Sequence, residues 1–336
     1  MKTKCKNCGG KVTYNPEAQQ LVCEHCGSIT AINGETIGNA KRPYNFSVSL
    51  KEQKATVFHC DSCGSNLTTS GEDPITRCPN CGSKNISTTA NAHFVPDAIL
   101  PFSISKQKAS EAFHQFIKKG HFRPNDFARM ARQEKLSATY VPVYNFSAHT
   151  HTTYQGVGIT ESRDSENNII THRHPFSGSF SNDYNDYMFS ANNNFSNTLV
   201  RWLAPWELEN LKVYSDDYLF GFIGSNVNIN LHECFQDFTR EIKNADEREA
   251  RFKNSYTRYE SFSSSTQISD QRYNYLYLPL YTNYYTYKQK NYACYINGRT
   301  GKVTGKTPKS FWKIFSLVAG ILAGIGAIIT LAICLS

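Results

Sequence analysis

The chain has 336 residues, 40% of them hydrophobic, enough to bury a sizeable core in two or more units. Its formal charge of +8 is concentrated, because residues 288–313 carry seven basic side chains and no acid, leaving +1 for the rest. A face built to read nucleic acid spreads its positive charge over a folded surface, so this distribution argues against a general DNA or RNA binder.

The chain opens "MKTKCKNCGG", with no apolar stretch of the kind that directs secretion. Eight of the eleven cysteines fall in four Cys-x-x-Cys pairs, and "CKNCGGKVTYNPEAQQLVCEHCGS" is followed 55 residues later by "CDSCGSNLTTSGEDPITRCPNCGS". Both read Cys-x2-Cys-x14-Cys-x2-Cys with glycine after each pair. Two intervening residues let one turn aim two thiolates at one ion, and fourteen make a short β-excursion that returns a second such turn. Cys5, Cys8, Cys23 and Cys26 are therefore expected to hold one structural zinc, and Cys60, Cys63, Cys78 and Cys81 a second. Four thiolates close each site and leave no open position for water, which makes His25 and His59 bystanders and the expected zincs structural, not catalytic. The first ribbon carries a net +2 and the second −2, so a matched pair of nucleic-acid readers is disfavoured and a protein partner or structural role favoured for the second.

Residues 27–59 and 83–100 read as extended connectors. "SISKQKASEAFHQFIKK" places Ile104, Ala109, Ala112, Phe113, Phe116 and Ile117 at helical spacing behind a Ser103 or Ser105 cap, and "PNDFARMARQEKL" predicts a second short helix. "ATYVPVYNFSAHTHTTYQGVGIT" and "NIITHRHPF" predict strands, whereas residues 177–200, rich in Ser, Asn and Tyr, read as a long loop. His149 with His151, and His172 with His174, each share a strand face and read first as polar strand faces; convergence of the two pairs is the alternative, which would make a third metal site and a metal-dependent enzyme. "LHECFQDFTREIKNADEREARFKN" predicts a helix with Leu231, Cys234, Phe235, Phe238 and Ile242 on one face. In "RYNYLYLPLYTNYYTY" the tyrosines at 273, 275 and 277 face one way and the leucines at 276, 278 and 280 the other. Such a tyrosine row either packs in a sheet or stacks single-stranded bases.

"YINGRTGKVTGKTP" resembles a phosphate loop only superficially. Four residues must separate the first glycine from Gly-Lys-Thr; Thr300 occupies that place, and Pro308 follows where a helix should start. The stretch is expected to be a hairpin turning at Asn297-Gly298. From Ile314 about 20 uncharged residues are long enough to cross a bilayer of about 30 Å. Lys302, Lys306, Lys309 and Lys313 precede this span, which predicts residues 1–313 on the cytoplasmic side of a single-pass, tail-anchored protein. Gly320 and Gly324 are spaced for close packing with a second copy, although small residues are common in membrane helices anyway.

The ribbon ending "RCPNCGS", together with "ILPFSISKQKASEAFHQFIKK", "FRPNDF", "TYVPVYNF", "LKVYSDDYLFGF" and "YLPLY" leading to "YINGRTGKVTGKTP", resembles a family of bacterial membrane proteins. These carry a zinc ribbon of the transcription-factor-IIB type and are often labelled by similarity with the primosomal replication-restart helicase. The resemblance covers nearly the whole chain and implies a membrane-tethered α+β domain with no assigned catalysis. The helicase label does not carry over, since no Walker motif is present, and the doubled ribbon and Val143 depart from the family pattern. The expected organisation is a first ribbon (1–32), a linker (33–55), a second ribbon (56–90), an α+β domain with antiparallel sheet (91–305), a basic collar (306–313) and a transmembrane helix (314–335). The leading expectation is a non-enzymatic docking module at the cell membrane that binds two zinc ions and a protein partner. A membrane-tethered nucleic-acid binder and the His-cluster enzyme are the alternatives.

Overall fold

The computed structural model describes residues 4–70, 75–120, 122–124, 126–127, 136–256 and 258–335. Strands dominate an α+β architecture. A small antiparallel sheet holds β1 (Val12–Asn15), β2 (Gln20–Cys23) and β3 (Ile29–Thr30). The other strands are β4 (Arg42–Pro43), β5 (Glu52–Cys60), β6 (Asn66–Thr68), β7 (Ile86–Phe94), β8 (Ala98–Ile99), β9 (Ser137–Arg163), β10 (Ile169–Ser190), β11 (Lys212–Val213), β12 (Ile223–Ser225), β13 (Arg258–Tyr287), β14 (Lys290–Asn297) and β15 (Val303–Gly305). They form one large sheet in the order β11-β8-β13-β9-β12-β6-β5-β7, with β10 on β9, β4 and β14 on β13, and β15 on β14. Most pairings are antiparallel; β12 with β9 and β8 with β13 are parallel. The strands of the second ribbon thus belong to the large sheet.

The scaffold is β9 between β13 and β10. The alternation along β13 has its expected effect, on two separate cores. Tyr273, Tyr275, Tyr277 and Tyr281 pack with Tyr140, Tyr144, Phe146, Phe235 and Phe238, while Leu276, Leu278 and Leu280 pack with Val141, Val143, Phe195, Leu203 and Trp206. All three tyrosines of the expected row are fully buried, which withdraws them from base stacking.

Four α-helices are described: α1 (Lys106–Lys118), α2 (Asn197–Trp202), α3 (Leu231–Lys253) and α4 (Phe311–Leu335). Ser105 caps α1 by accepting from the Lys108 N–H, and Ala109, Phe113 and Ile117 are its buried face. Asn230 caps α3 in the same way, accepting from His232 N–H at 2.8 Å. The buried stripe of α3 runs Leu231, Cys234, Phe235, Phe238, Ile242, Asp246 and Ala250, against β9, β10 and β13. The polar member, Asp246, is satisfied by Thr152 Oγ1 (2.9 Å), Asn182 Nδ2 (2.8 Å) and Tyr184 OH (2.5 Å), all donating. Helix α4 starts at Phe311, and its Phe311–Thr330 segment has a mean hydropathy of 2.0 and no buried residue; it is long and apolar enough to cross a membrane.

Three readings of the sequence are corrected. Residues 177–190 belong to strand β10, and α2 follows. Phe176, Phe180 and Tyr184 point to the α3 side while Ser177, Ser179 and Ser181 face solvent, so packing of alternate aromatics overrides the weak strand propensity of serine and asparagine. Asn297-Gly298 is not a two-residue turn. Its loop runs from 298 to 302, with Asn297 Oδ1 accepting from the N–H groups of Arg299 and Thr300, and a Cβ on Gly298 would lie 2.4 Å from Phe102. The two-residue turn lies instead at Lys288 and Gln289, both at positive φ (49° and 63°), joining β13 to β14. The third concerns the alternative reading of the histidines as a metal site, below. The helix expected over 124–136 falls largely outside the described residues.

Both strands flanking β9 bulge at one level. β10 gains a residue between Tyr184 and Tyr187, β13 between Ser269 and Arg272, each opposite residues 146–149 of β9. Asp186 and Asp270 take the left-handed conformations these bulges require (φ 58° and 46°).

Candidate metal centres

Each Cys-x-x-Cys closes into the same turn. In the first, Gly9 N–H donates to Cys5 O and Cys5 N–H to Gly10 O, at 2.9 and 2.8 Å; the turns at Cys23, Cys60 and Cys78 repeat this pair of bonds. The chain can fold back so tightly because Gly9, Gly27, Gly64 and Gly82 lie at φ between +70° and +77°.

The four turns pair across their β-excursions into two clusters, Cys5/Cys8/Cys23/Cys26 and Cys60/Cys63/Cys78/Cys81, in each of which the sulfurs lie within 4.8 Å of one another. Cys5 Sγ is 3.7 Å from Cys26 Sγ and Cys8 Sγ 3.5 Å from Cys23 Sγ; the matching distances in the second cluster are 3.6 Å (Cys60 to Cys81) and 3.7 Å (Cys63 to Cys78). These are far beyond a disulfide of about 2.05 Å. Four sulfurs about 2.3 Å from a central ion sit about 3.8 Å apart in a tetrahedron, so the donors match a closed thiolate site. Backbone N–H groups point at the sulfurs as well, from Asn7 to Cys5, Gly10 to Cys8 and Asn80 to Cys78, each at 3.4 Å. They disperse the negative charge that four thiolates would bring.

The clusters differ in their surroundings. In the first, Cys8 and Cys26 are exposed and Lys6, Asn7, Glu24 and His25 stand in solvent. Its β1–β2 end is anchored: Tyr14 OH and Gln19 Nε2 donate to Phe102 O, Tyr14 N–H donates to Phe220 O, and Lys108 pairs with Glu17. Cys26 is brought down to about 6 by the Ser28 hydroxyl, 2.9 Å away, and by the Ser28 N–H. In the second cluster burial raises the Cys78 thiol and lifts that of Cys81 to about 11. The turn Cys78-Pro79-Asn80-Cys81 is plugged into the α+β domain. Thr282 Oγ1 donates to Pro79 O, Tyr284 OH to Asn80 O and Ser225 Oγ to Asn80 Oδ1, while Asn80 Nδ2 and Asn194 Nδ2 both donate to Ser65 Oγ. Sequence reasoning missed this docking network. One signal was present: the other three turns carry a charged residue between their cysteines, and Pro79-Asn80 carries none.

The histidine pairs do not meet. In the β9–β10 register His174 stands opposite Gly158 and His172 opposite Thr160, so the pairs are separated by at least seven residues of β9, roughly 23 Å. Alternation also sends them to opposite faces, because 149 and 151 differ in parity from 158 and 160. Each ring bonds a local neighbour instead: Asp183 (His149), Ser181 (His151), Ser162 (His172) and Thr160 (His174). Among the described residues the two cysteine groups are the clusters able to hold a metal.

The chain is 27% identical over 333 residues to the uncharacterized protein YdjG of Bacillus subtilis (strain 168), covering 96% of this chain and 94% of that protein. No protein-family model matches the chain. No solved structure matches it.

Proposed function

We propose that this protein is a non-catalytic zinc-binding docking module held at the cytoplasmic face of a membrane by α4. It would be a relative of the zinc-ribbon membrane proteins its motifs resemble. Zinc is the metal assigned because four thiolates in a closed tetrahedron suit a d10 ion that needs no open coordination position. The observation that carries the docking role is the difference between the two clusters. The second is locked into the domain through Asn80 and Ser65, whereas the first turns both its Cys-x-x-Cys loops to solvent. A protein partner is the favoured ligand of that exposed end. The orientation follows from the lysines on the near side of α4. Nothing lies within 4 Å of a Cβ placed on Gly320 or Gly324, which leaves that helix face open for a second copy.

Metal analysis and fractionation test the reading together. Purified protein is expected to hold two zinc ions per chain, and deletion of residues 314–336 to move it from the membrane to the soluble fraction. Metal-free protein, or a truncated chain that stays with membranes through a high-salt wash, would overturn it.

A further inference from the structure

The end of the domain from which α4 leaves gathers cations from three separate segments. The first is the stretch entering the helix, with Lys306, Lys309 and Lys313. The second is the end of α1 and the loop after it, with Lys118, Lys119 and Arg123. Ser310 N–H donates to Phe122 O at 2.6 Å, Lys313 Nζ to Arg123 O at 2.9 Å, and Arg123 Nε to Thr307 Oγ1 at 3.1 Å. These bonds hold the loop level with the first turn of α4, where Phe122 is exposed beside a helix that opens with exposed Phe311 and Trp312.

The third segment is the β13–β14 turn, with exposed Lys288 and Lys290. β15 runs antiparallel to β14, with Gly305 opposite Cys294, so the chain leaving β15 for α4 heads towards this turn. Tyr285 OH donates to Lys306 O at 2.8 Å and ties the two together. Across residues 118–127 and 287–313 the one acid is Asp126, and Tyr287 OH donates to its carboxylate at 2.9 Å.

We propose that these three segments form a basic, aromatic-studded platform that binds the anionic headgroup layer around α4, so that the domain rests on the bilayer instead of swinging from a tether. The proposal depends on α4 being the anchor. Its occupant is assigned by continuity with that helix and by charge, since cations interleaved with aromatic rings at the level of a membrane entry suit a headgroup boundary.

Hydrogen–deuterium exchange on the full chain in lipid nanodiscs tests it. One set contains phosphatidylcholine alone, the other about one-third phosphatidylglycerol. Amides of 118–123 and 288–291 are expected to exchange at least about fivefold more slowly on the anionic discs. The surface variant K118Q/K119Q/K288Q/K290Q is expected to lose that difference while α4 stays protected in both lipids. Equal exchange in the two lipids, or a difference that survives in the variant, overturns the platform and leaves the anchor standing. Free exchange along α4 in both discs overturns both.

Discussion

Asn7 and Asn80 occupy the same position in equivalent Cys-x-x-Cys turns, and their surroundings set opposite consequences for replacing them. Asn80 is buried and bonds Ser65 and Ser225. Its replacement by alanine strands the Ser225 hydroxyl, while Ser65 keeps the Asn194 side chain, and is expected to cost about 1–3 kcal/mol. Asn7 bonds Ser28 in solvent, so Asn7→Ala should stay within about 0.5 kcal/mol of the native chain. Urea unfolding of the zinc-loaded proteins compares them. His93 supplies a pH dependence. Burial lowers its pKa, against the raising effect of the Asn226 side chain on its Nδ1. The neutral ring is favoured in the fold, so its contribution is complete above the unfolded value of about 6.5 and is lost as pH falls below it. A His93→Gln variant should show a smaller drop in Tm between pH 7 and pH 5 than the native chain.

Helix α3 was readable from its periodicity because a single amphipathic face decides it, and its cap residue Asn230 stands directly before the first buried position. Phe238 lies at the centre of that face and is fully buried, whereas Phe252 near the end is 82% exposed. Phe238→Ala is expected to cost about 3–5 kcal/mol and Phe252→Ala almost nothing, measured by chemical denaturation. The ribbons were equally legible, since metal ligation fixes cysteine spacing independently of the rest of the fold. Their unequal attachment was not, because the partners of Asn80 lie in β12 and β13, more than 100 residues away in the chain. That inequality predicts two-phase metal loss. A chelator should strip the first cluster rapidly and the second only as the domain opens, and Cys→Ser changes in the first ribbon should remove the fast phase.

Local sequence does not reveal how the long strands are assembled. β9 and β13 pair along residues separated by 99 to 145 positions, and such a ladder leaves a mark on each strand but none that names its neighbour. The alternating tyrosines and leucines of β13 said that both faces mattered; the histidine pairs showed the limit, because strand membership was legible and relative height and face were not. The coincident bulges have a consequence of their own. From the turn at Lys288 the 30 residues of β13 trace a path of roughly 95 Å, and the bulge at Ser269–Arg272 faces its counterpart in β10 across β9. Two extra residues at one height make an elbow whose angle is set by backbone geometry, and α3 braces the forearm just beyond it by gripping Thr152, Asn182 and Tyr184 through Asp246. The far end of the ladder is therefore joined to the lysines of the β13–β14 turn by a single strand that bends once at the elbow, so the two ends keep a fixed angle to each other.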